Sequence, residues 1–470
     1  MRKPYITGVL GGMQTLASRA RNAIVRGGRL KCIRVIAVLL VLLMSGGGVY
    51  AYSVLTHEEI VDLLWTSNIR PLLLKRFPNL TEEQITEAHG YAYGGAVIQD
   101  LGYYPFGSTE FSDLVHYVRS GDFVRELLLE SQDADEYAFA IGALAHYASD
   151  NAGHPAINRA VAMDYPKLES KYGKSVRYAD DKTAHLKTEF GFDMVQVAKN
   201  RYASQQYHDF IGFEVSKSLL ERVFPIVYGV PLNAVLTHED LAIGSYRYAI
   251  SQLIPKMTQV ALRTHKKDIM HERPGFEKRT FLYHLSRSDY EKQWGKDYPK
   301  PNFSTRLLAF LLRFMPKIGP FKSMGFNNPT PQTEEMYFKS INITVVRYKA
   351  FLEQVRTDSI VLPNRDLDSG NLTSAAEYSL TDSTYAHLLS QLTERKFNLT
   401  TPELRSNILQ FYHDLSAPYE TKKEDDDWQN VLKSLDELKL MTPNPTVAGS
   451  AAQHPLPAPT SLAITIPVAK

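Results

Sequence analysis

The stretch at positions 146–155, HYASDNAGHP, constrains the fold of this chain more than any other segment. Three side chains that can bind a metal, His146, Asp150 and His154, follow one another there at steps of four. Because an α-helix turns once in 3.6 residues, side chains four apart form one stripe along a helix. The small alanines between them favour helix. The segment therefore predicts a helix that carries all three side chains on one face.

A proline follows this stripe directly. Pro155 has no backbone N–H to donate, and its ring disfavours helical geometry at the residue before it. We therefore expect the helix to end at or near His154. That histidine would then reach different neighbours from those of His146.

A polar helix face capped by a proline is the alternative interpretation of this stretch. Other residues favour a metal site. His185 and Glu189 form a second pair four residues apart, His116 lies in DLVHYVRSGDF, Asp100 ends AYGGAVIQD, and His57 lies in VLTHEEI. Zn²⁺ binds imidazole nitrogen and carboxylate oxygen readily. An aspartate between two histidines on one helix is well placed to bridge two ions.

Charge is distributed unevenly along the 470 residues. Residues 1–51 carry eight Lys or Arg and no Asp or Glu, whereas the remainder carries 45 Lys or Arg against 51 Asp or Glu. The net negative charge of the residues after position 51 argues against a nucleic-acid partner. The chain is 44% hydrophobic and 22% charged, which is typical of globular proteins. Its length is sufficient for two or three structural units.

The N-terminal 51 residues have the pattern of an export signal. The basic residues end at Arg34, the apolar run VIAVLLVLLM follows at 35–44, and SGGGVYA comes next. Ten apolar residues are too few to span a bilayer and suit a signal peptide, so we predict cleavage after Ala51 and a periplasmic or extracellular protein. A retained membrane anchor is the alternative. Cys32, the one cysteine, precedes the run, so the exported chain would bind metal through imidazole and carboxylate alone.

Three- and four-residue apolar spacing predicts an all-α fold with many helices. We divide the chain into a signal peptide (1–51), a metal-binding domain (52–275), a smaller helical C-terminal region without an assigned role (276–440) and a tail (441–470). The tail holds six prolines and one charged side chain, which predicts disorder.

Taken together, HYASDNAGHP at 146–155 and HLKTEFGFD at 185–193 resemble the zinc-dependent phospholipase C/D superfamily. This superfamily includes bacterial zinc-dependent phospholipases C and the catalytic domain of glycosylphosphatidylinositol-specific phospholipase D. The three-residue gaps in the first segment are more similar to the phospholipase D branch. The resemblance covers about half the chain, and it implies a multi-helix phospholipase C-like domain.

The resemblance also implies a set of metal ligands for three zinc ions. Asp100, His116, His146 and Asp150 would hold the first, and His154, His185 and Glu189 the second. His57, a bridging Asp150 and the amine and carbonyl of the mature N-terminus, which is Tyr52 if cleavage follows Ala51, would hold the third.

The resemblance further implies hydrolysis of a phospholipid phosphodiester at a membrane or micelle surface, with Asp100 as general base. Two other functions stay open. A single-strand-type zinc nuclease or nucleotidase would share the three-zinc arrangement, and a secreted module could bind zinc and lipid without catalysis.

Two near-repeats also fit the start of a helix. VLTHEEI at 54–60 and VLTHEDL at 235–241 each predict a capping box, with Thr56 or Thr237 as N-cap and an acid three residues later. We assign a metal to His57 because it adjoins the predicted new N-terminus, and only a capping position to His238. Asp193 lies on the face of His185 and Glu189 and is expected to orient a ligand.

Overall fold

A computed structural model describes residues 54–104, 106–198, 213–250 and 329–442. These residues form α-helices joined by turns and loops, with a π-helical turn at Trp65–Ile69 and 3₁₀ turns at Ile98–Tyr103 and Glu420–Lys423. The helices are α1 (Val54–Leu64), α2 (Arg70–Arg76), α3 (Glu82–Ala96), α4 (Thr109–Tyr117), α5 (Ser120–Glu130), α6 (Ala134–Asp164), α7 (Pro166–Tyr172), α8 (Lys182–Ala198), α9 (Lys217–Tyr228), α10 (Leu232–Val235), α11 (Glu239–Tyr248), α12 (Pro331–Arg356), α13 (Ser379–Glu394), α14 (Pro402–Phe411) and α15 (Asp425–Leu440).

The prediction of an all-α fold is confirmed. Within the described ranges there is no β-strand, and one isolated bridge joins Arg365 to Leu372. In the same ranges no helix has the length and apolar character needed to cross a membrane. The predicted signal peptide, its cleavage site and nearly all of the predicted tail lie outside the described residues.

Helix α6 lies at the centre of the fold, because α1, α3, α5, α8 and α12 all pack against it. Its contact with α3 is unusually close. A Cβ atom added at Gly142 would lie 2.0 Å from the Ala92 carbonyl oxygen, and one at Gly95 would lie 1.9 Å from the Phe139 carbonyl oxygen. Glycine is therefore required on both sides of the crossing. This approach brings the end of α3 against the polar stripe of α6.

The prediction that the helix ends near His154 is wrong, because α6 continues through Pro155 to Asp164. The missing N–H of Pro155 would leave the carbonyl of Asn151 without its helical donor. The guanidinium of Arg347 replaces that donor, with Nη1 3.0 Å from the Asn151 oxygen. A side chain on α12 thus satisfies the carbonyl that the proline leaves open.

The described residues of the C-terminal region share one hydrophobic core with the preceding helices. Two tyrosines contribute further hydrogen bonds between this region and α6. The Tyr348 hydroxyl donates to the Ile141 carbonyl at 2.9 Å, and the Tyr147 hydroxyl donates to the Pro363 carbonyl at 2.6 Å. Helix α6 is therefore held on one side by residues more than 200 positions later in the chain.

Neither predicted capping box forms. Thr56 lies inside α1, and its hydroxyl donates to the Asp193 carboxylate at 2.7 Å rather than capping the helix. Helix α11 begins at Glu239, so His238 takes the N-cap position, and its side chain makes no capping hydrogen bond. The sequence correctly predicted a helix at each of the two places but not the residue at which each helix begins. At α1 the Thr56 hydroxyl bonds to Asp193, which is distant in the sequence, instead of capping the helix.

Candidate metal centre

Asp150 lies at the middle of a buried cluster of histidines. Its Oδ1 is 3.5 Å from Nε2 of His57. Its Oδ2 is 2.9 Å from Nε2 of His146, 3.5 Å from Nε2 of His116 and 3.8 Å from Nε2 of His154. One carboxylate thus faces four imidazoles from three helices, which is the position that a bridging ligand requires.

The atoms of the cluster that could bind a metal fall into three groups, each with atoms within 4.8 Å of one another, and the first two groups share one histidine. The groups are His57, His146 and Asp150; Asp100, His116 and His146; and His154, His185 and Glu189. The third equals the set implied for the second zinc. The other two differ from the implied sets in two ways: His146 belongs to both, and Asp150 is grouped with His57 but not with Asp100 and His116.

These side chains come from five structural elements. His146, Asp150 and His154 lie on the stripe of α6, and Asp100 lies on the 3₁₀ turn that follows α3. The remaining ligand candidates come from other helices, namely His57 on α1, His116 on α4, and His185 and Glu189 on α8. All eight are buried, with at most 1% of their surface exposed.

Three of the histidines have one ring nitrogen fixed by the protein. Nδ1 of His116 lies 2.8 Å from the Ser112 carbonyl, and Nδ1 of His146 lies 2.9 Å from the Ala96 carbonyl at the end of α3. A carbonyl can only accept, so each Nδ1 carries the proton and leaves the lone pair of Nε2 facing the cluster. In His185 the order is reversed, because Nε2 lies 2.7 Å from Asn158 Oδ1 and Nδ1 faces Glu189.

Many of the oxygen and nitrogen atoms that could bind a metal are buried and have no hydrogen bond within the part of the chain that the structure describes. They are both oxygens of Asp100, Asp150 and Glu189, both ring nitrogens of His154, Nε2 of His146 and Nδ1 of His185. Buried carboxylates and imidazoles without hydrogen bonds are costly unless a cation binds them. Imidazole nitrogen and carboxylate oxygen are a donor set that zinc accepts. These residues therefore fit zinc.

The pKa values indicate why the cluster suits cations. Burial lowers the pKa of His57 and His185 well below the ordinary value, which favours the neutral imidazole that metals bind. Burial, together with the charges of the other carboxylates, raises the pKa of Glu189 well above its ordinary value. Burial alone would raise the pKa of Asp150, but the histidines that face it, His146 foremost, hold it well below the ordinary value.

The start of α1 is fastened to α8, and this fixes His57. The carboxylate of Asp193 accepts from the Leu55 backbone N–H at 3.1 Å and from the Thr56 hydroxyl at 2.7 Å. The ring of His57 stacks on His146 at 4.2 Å between centroids. Asp193 thus positions the segment that carries His57. Tyr52, the predicted N-terminal ligand, lies outside the described residues.

One acidic residue beside the cluster had no signal in the sequence. Asp368 lies between α12 and α13, and its Oδ1 is 3.7 Å from Nε2 of His154. The segment around it has neither histidines nor helical spacing, so sequence patterns gave no reason to place it near a metal. Only the packing of the C-terminal region reveals its position.

Comparison with known families agrees with this geometry. Residues 56–236 match the model of a family described as zinc dependent phospholipase C. Neither the search of curated proteins nor the search of solved structures found a match. The eight described candidate ligands all lie inside the matched segment, whereas Asp368 lies beyond its end.

Proposed function

Residues 56–236 of this chain belong to the zinc-dependent phospholipase C superfamily, and from that premise we propose that the chain is an exported phosphodiesterase that hydrolyses phospholipids at a membrane or micelle surface. The observation that carries the proposal is the set of three groups of buried side chains that could each hold a metal ion, with Asp150 among the histidines that they contribute. The family match supports zinc-dependent hydrolysis of phospholipids. Export and the bond that is cleaved are the finer parts of the proposal.

Three zinc ions per chain are proposed from the three donor groups. Asp150 would be shared between ions, because its two oxygens face different histidines. The other carboxylates, Asp100 and Glu189, would each serve one ion. When bound, zinc supplies Lewis acidity toward phosphate oxygens and lowers the pKa of water in its coordination sphere.

The chain itself would supply orientation, exclusion of water and a proton acceptor. Asp100 is proposed to take the proton from the attacking water, since its carboxylate is buried and adjoins Nε2 of His116 at 3.6 Å. Burial raises the pKa of Asp100 to about 7 in the metal-free chain. The ring of Tyr103 lies 6.1 Å from that of His116, and the ring of Tyr178 lies 6.0 Å from that of His185. We propose that these buried aromatic rings would limit the access of water to the site.

The proposal is tested with the purified, zinc-loaded chain beginning at Tyr52 and vesicles of a defined phospholipid. Hydrolysis that disappears with a chelator and returns with zinc is the expected result. Thin-layer chromatography of the products separates C-type cleavage, which gives diacylglycerol, from D-type cleavage, which gives phosphatidic acid. Asp100→Asn should abolish turnover, whereas His238→Ala, at an exposed position away from the cluster, should not change it.

Two results would replace this function with another. Cleavage of single-stranded DNA by the zinc-loaded chain, with intact vesicle lipid, would make it a nuclease. Zinc and vesicle binding without turnover of lipid, DNA or a soluble chromogenic phosphodiester would make it a non-catalytic module. Export is tested separately by sequencing the N-terminus of the secreted protein, which should begin at Tyr52.

A further inference from the structure

The segment at 357–378, between α12 and α13, crosses the C-terminal region and reaches the metal centre; we name it the Asp368 loop. Its backbone is pinned on both sides of Asp368. The Leu367 N–H donates to the carbonyl of His116 at 3.2 Å, and Nδ2 of Asn158 donates to the carbonyl of Asp368 at 2.9 Å. Both partners adjoin the cluster, because His116 is a candidate ligand and Asn158 fixes the ring of His185.

The glycine that ends this turn fits closely against α6. Gly370 has a φ of +73°, and a Cβ there would lie 2.8 Å from the Asn151 carbonyl oxygen. Both the positive φ and the close approach favour glycine. The Asp368 loop is therefore shaped to lie against the helix that carries the central stripe.

The side chain of Asp368 is held through one oxygen and leaves the other toward the cluster. Its Oδ2 accepts hydrogen bonds from the Tyr117 hydroxyl at 2.8 Å and from the Tyr378 hydroxyl at 2.5 Å. Only 3% of the residue surface is exposed. Two donors on one oxygen fix the orientation of the carboxylate. The two tyrosines therefore direct Oδ1 at His154, without a hydrogen bond between Asp368 and His154.

The distance between Oδ1 and Nε2 of His154, 3.7 Å, is too long for a hydrogen bond. It is a suitable distance for two ligands of one ion. Zinc lies about 2.0–2.2 Å from nitrogen and oxygen ligands, so two atoms that share it are roughly 3 to 4 Å apart. Nε2 of His154 also has no hydrogen bond among the described residues, which leaves its lone pair for such an ion.

We propose that Asp368 is a further metal ligand, contributed by the C-terminal region, that binds through Oδ1 the ion held by His154, His185 and Glu189. This inference rests on the metal centre of the proposed function but not on its phospholipid substrate. It gives the C-terminal region a role, because the domain matched by the family would be incomplete without the Asp368 loop. The four side chains come from α6, α8 and the loop.

The test measures zinc and not turnover. Full-length mature wild type and Asp368→Asn are loaded with zinc, dialysed against a chelator of known affinity, and assayed for zinc per chain. Asn keeps the size of the side chain and can still accept from the tyrosines but loses the charge. We expect one ion per chain to be held at least about tenfold more weakly, on the scale seen when metal-site partners are removed. Substitution with Co²⁺ should show altered visible bands in the variant, since a ligand has changed.

Asp366→Asn is the matched control. Asp366 is also buried, lies two residues away on the same loop, and accepts from the Thr381 hydroxyl at 2.7 Å and the Ser369 N–H at 3.0 Å. It should keep the full zinc content and the wild-type cobalt spectrum. If Asp368→Asn does not fold, Tyr378→Phe carries the test: it leaves the carboxylate in place but removes one of the two donors that orient it, and should weaken the same ion several-fold.

The outcomes separate this inference from the function proposed above. Equal zinc affinity in wild type and Asp368→Asn, or in wild type and Tyr378→Phe if that variant is used instead, would refute the ligand role. The phospholipase proposal would still stand. Equal losses in Asp366→Asn and Asp368→Asn would also refute it, because the effect would then belong to the loop in general. Wild type that binds zinc and loses one ion with Asp368→Asn, but cleaves no phospholipid, supports Asp368 and overturns the function.

Discussion

The hydrogen bond from Arg347 to the carbonyl of Asn151 is expected to stabilise α6 only because Pro155 is present. We change Arg347 to Met, which keeps most of the aliphatic stem and removes the donor. A hydrogen bond from a charged group contributes about 1.5–3 kcal/mol, and an unsatisfied buried carbonyl costs a similar amount. Arg347 is half-buried, so we expect the lower part of that range, about 2 kcal/mol of unfolding free energy.

The proline supplies the second arm of the experiment. In Pro155→Ala the new N–H can donate to the Asn151 carbonyl in the ordinary helical way. Loss of Arg347 in that background should therefore cost only about 0.5 kcal/mol, and the double-mutant cycle should give a coupling of about 1–2 kcal/mol. Guanidinium unfolding of the four zinc-loaded proteins, followed by circular dichroism, measures this coupling.

A matched arginine controls for the general effect of such a substitution. Arg405 also donates to backbone carbonyls, those of Leu438 and Lys439 at the end of α15, at 3.1 and 2.9 Å. Arg405→Met should destabilise the protein equally with or without Pro155→Ala. If Arg347→Met behaves in the same way, with equal effects in both backgrounds, the explanation for the uninterrupted helix is refuted.

Two other predictions concern the cluster, and a third concerns a buried carboxyl group on α5. Asp150→Ala should lose more than one of about three zinc ions, because the two oxygens of Asp150 face different histidines, whereas His238→Ala should lose none. Metal analysis after dialysis measures the zinc content of both variants. Loss of a single ion from Asp150→Ala would contradict bridging by Asp150. A chain that begins Gly-Tyr52 should lose the third ion and most turnover relative to one that begins at Tyr52, because an amide nitrogen offers no lone pair; equal zinc and turnover would remove the N-terminal amine from the site. Burial raises the pKa of Glu126 from an ordinary 4.5 to about 7, so its ionisation opposes folding more strongly as the pH rises from 4.5 to 7. Glu126→Gln should therefore raise the unfolding free energy by up to ~3 kcal/mol at pH 8 and by much less at pH 5. A gain in unfolding free energy that does not depend on pH would refute this assignment.

The pattern of the stripe was enough to predict that His146, Asp150 and His154 share one face of α6. Spacing of four is a local property, because each turn of helix fixes the next. The same reasoning found the pair His185 and Glu189 on α8. It did not find where α6 ends, since a proline stops a helix only when no other donor reaches the open carbonyl.

The sequence by itself determined the helical class of this protein, the stripe of α6 and the pair His185 and Glu189, because these depend on periodicity and on the chemistry of single side chains, whereas the roles of the other candidate ligands came from the family resemblance. Only the tertiary structure decided that Thr56 bonds to Asp193 rather than capping α1, that Arg347 carries α6 through Pro155, and that Asp368 faces His154. In each case the partner lies more than 130 positions away in the chain. Contacts between such distant residues are set by how the helices pack, and no local pattern encodes them.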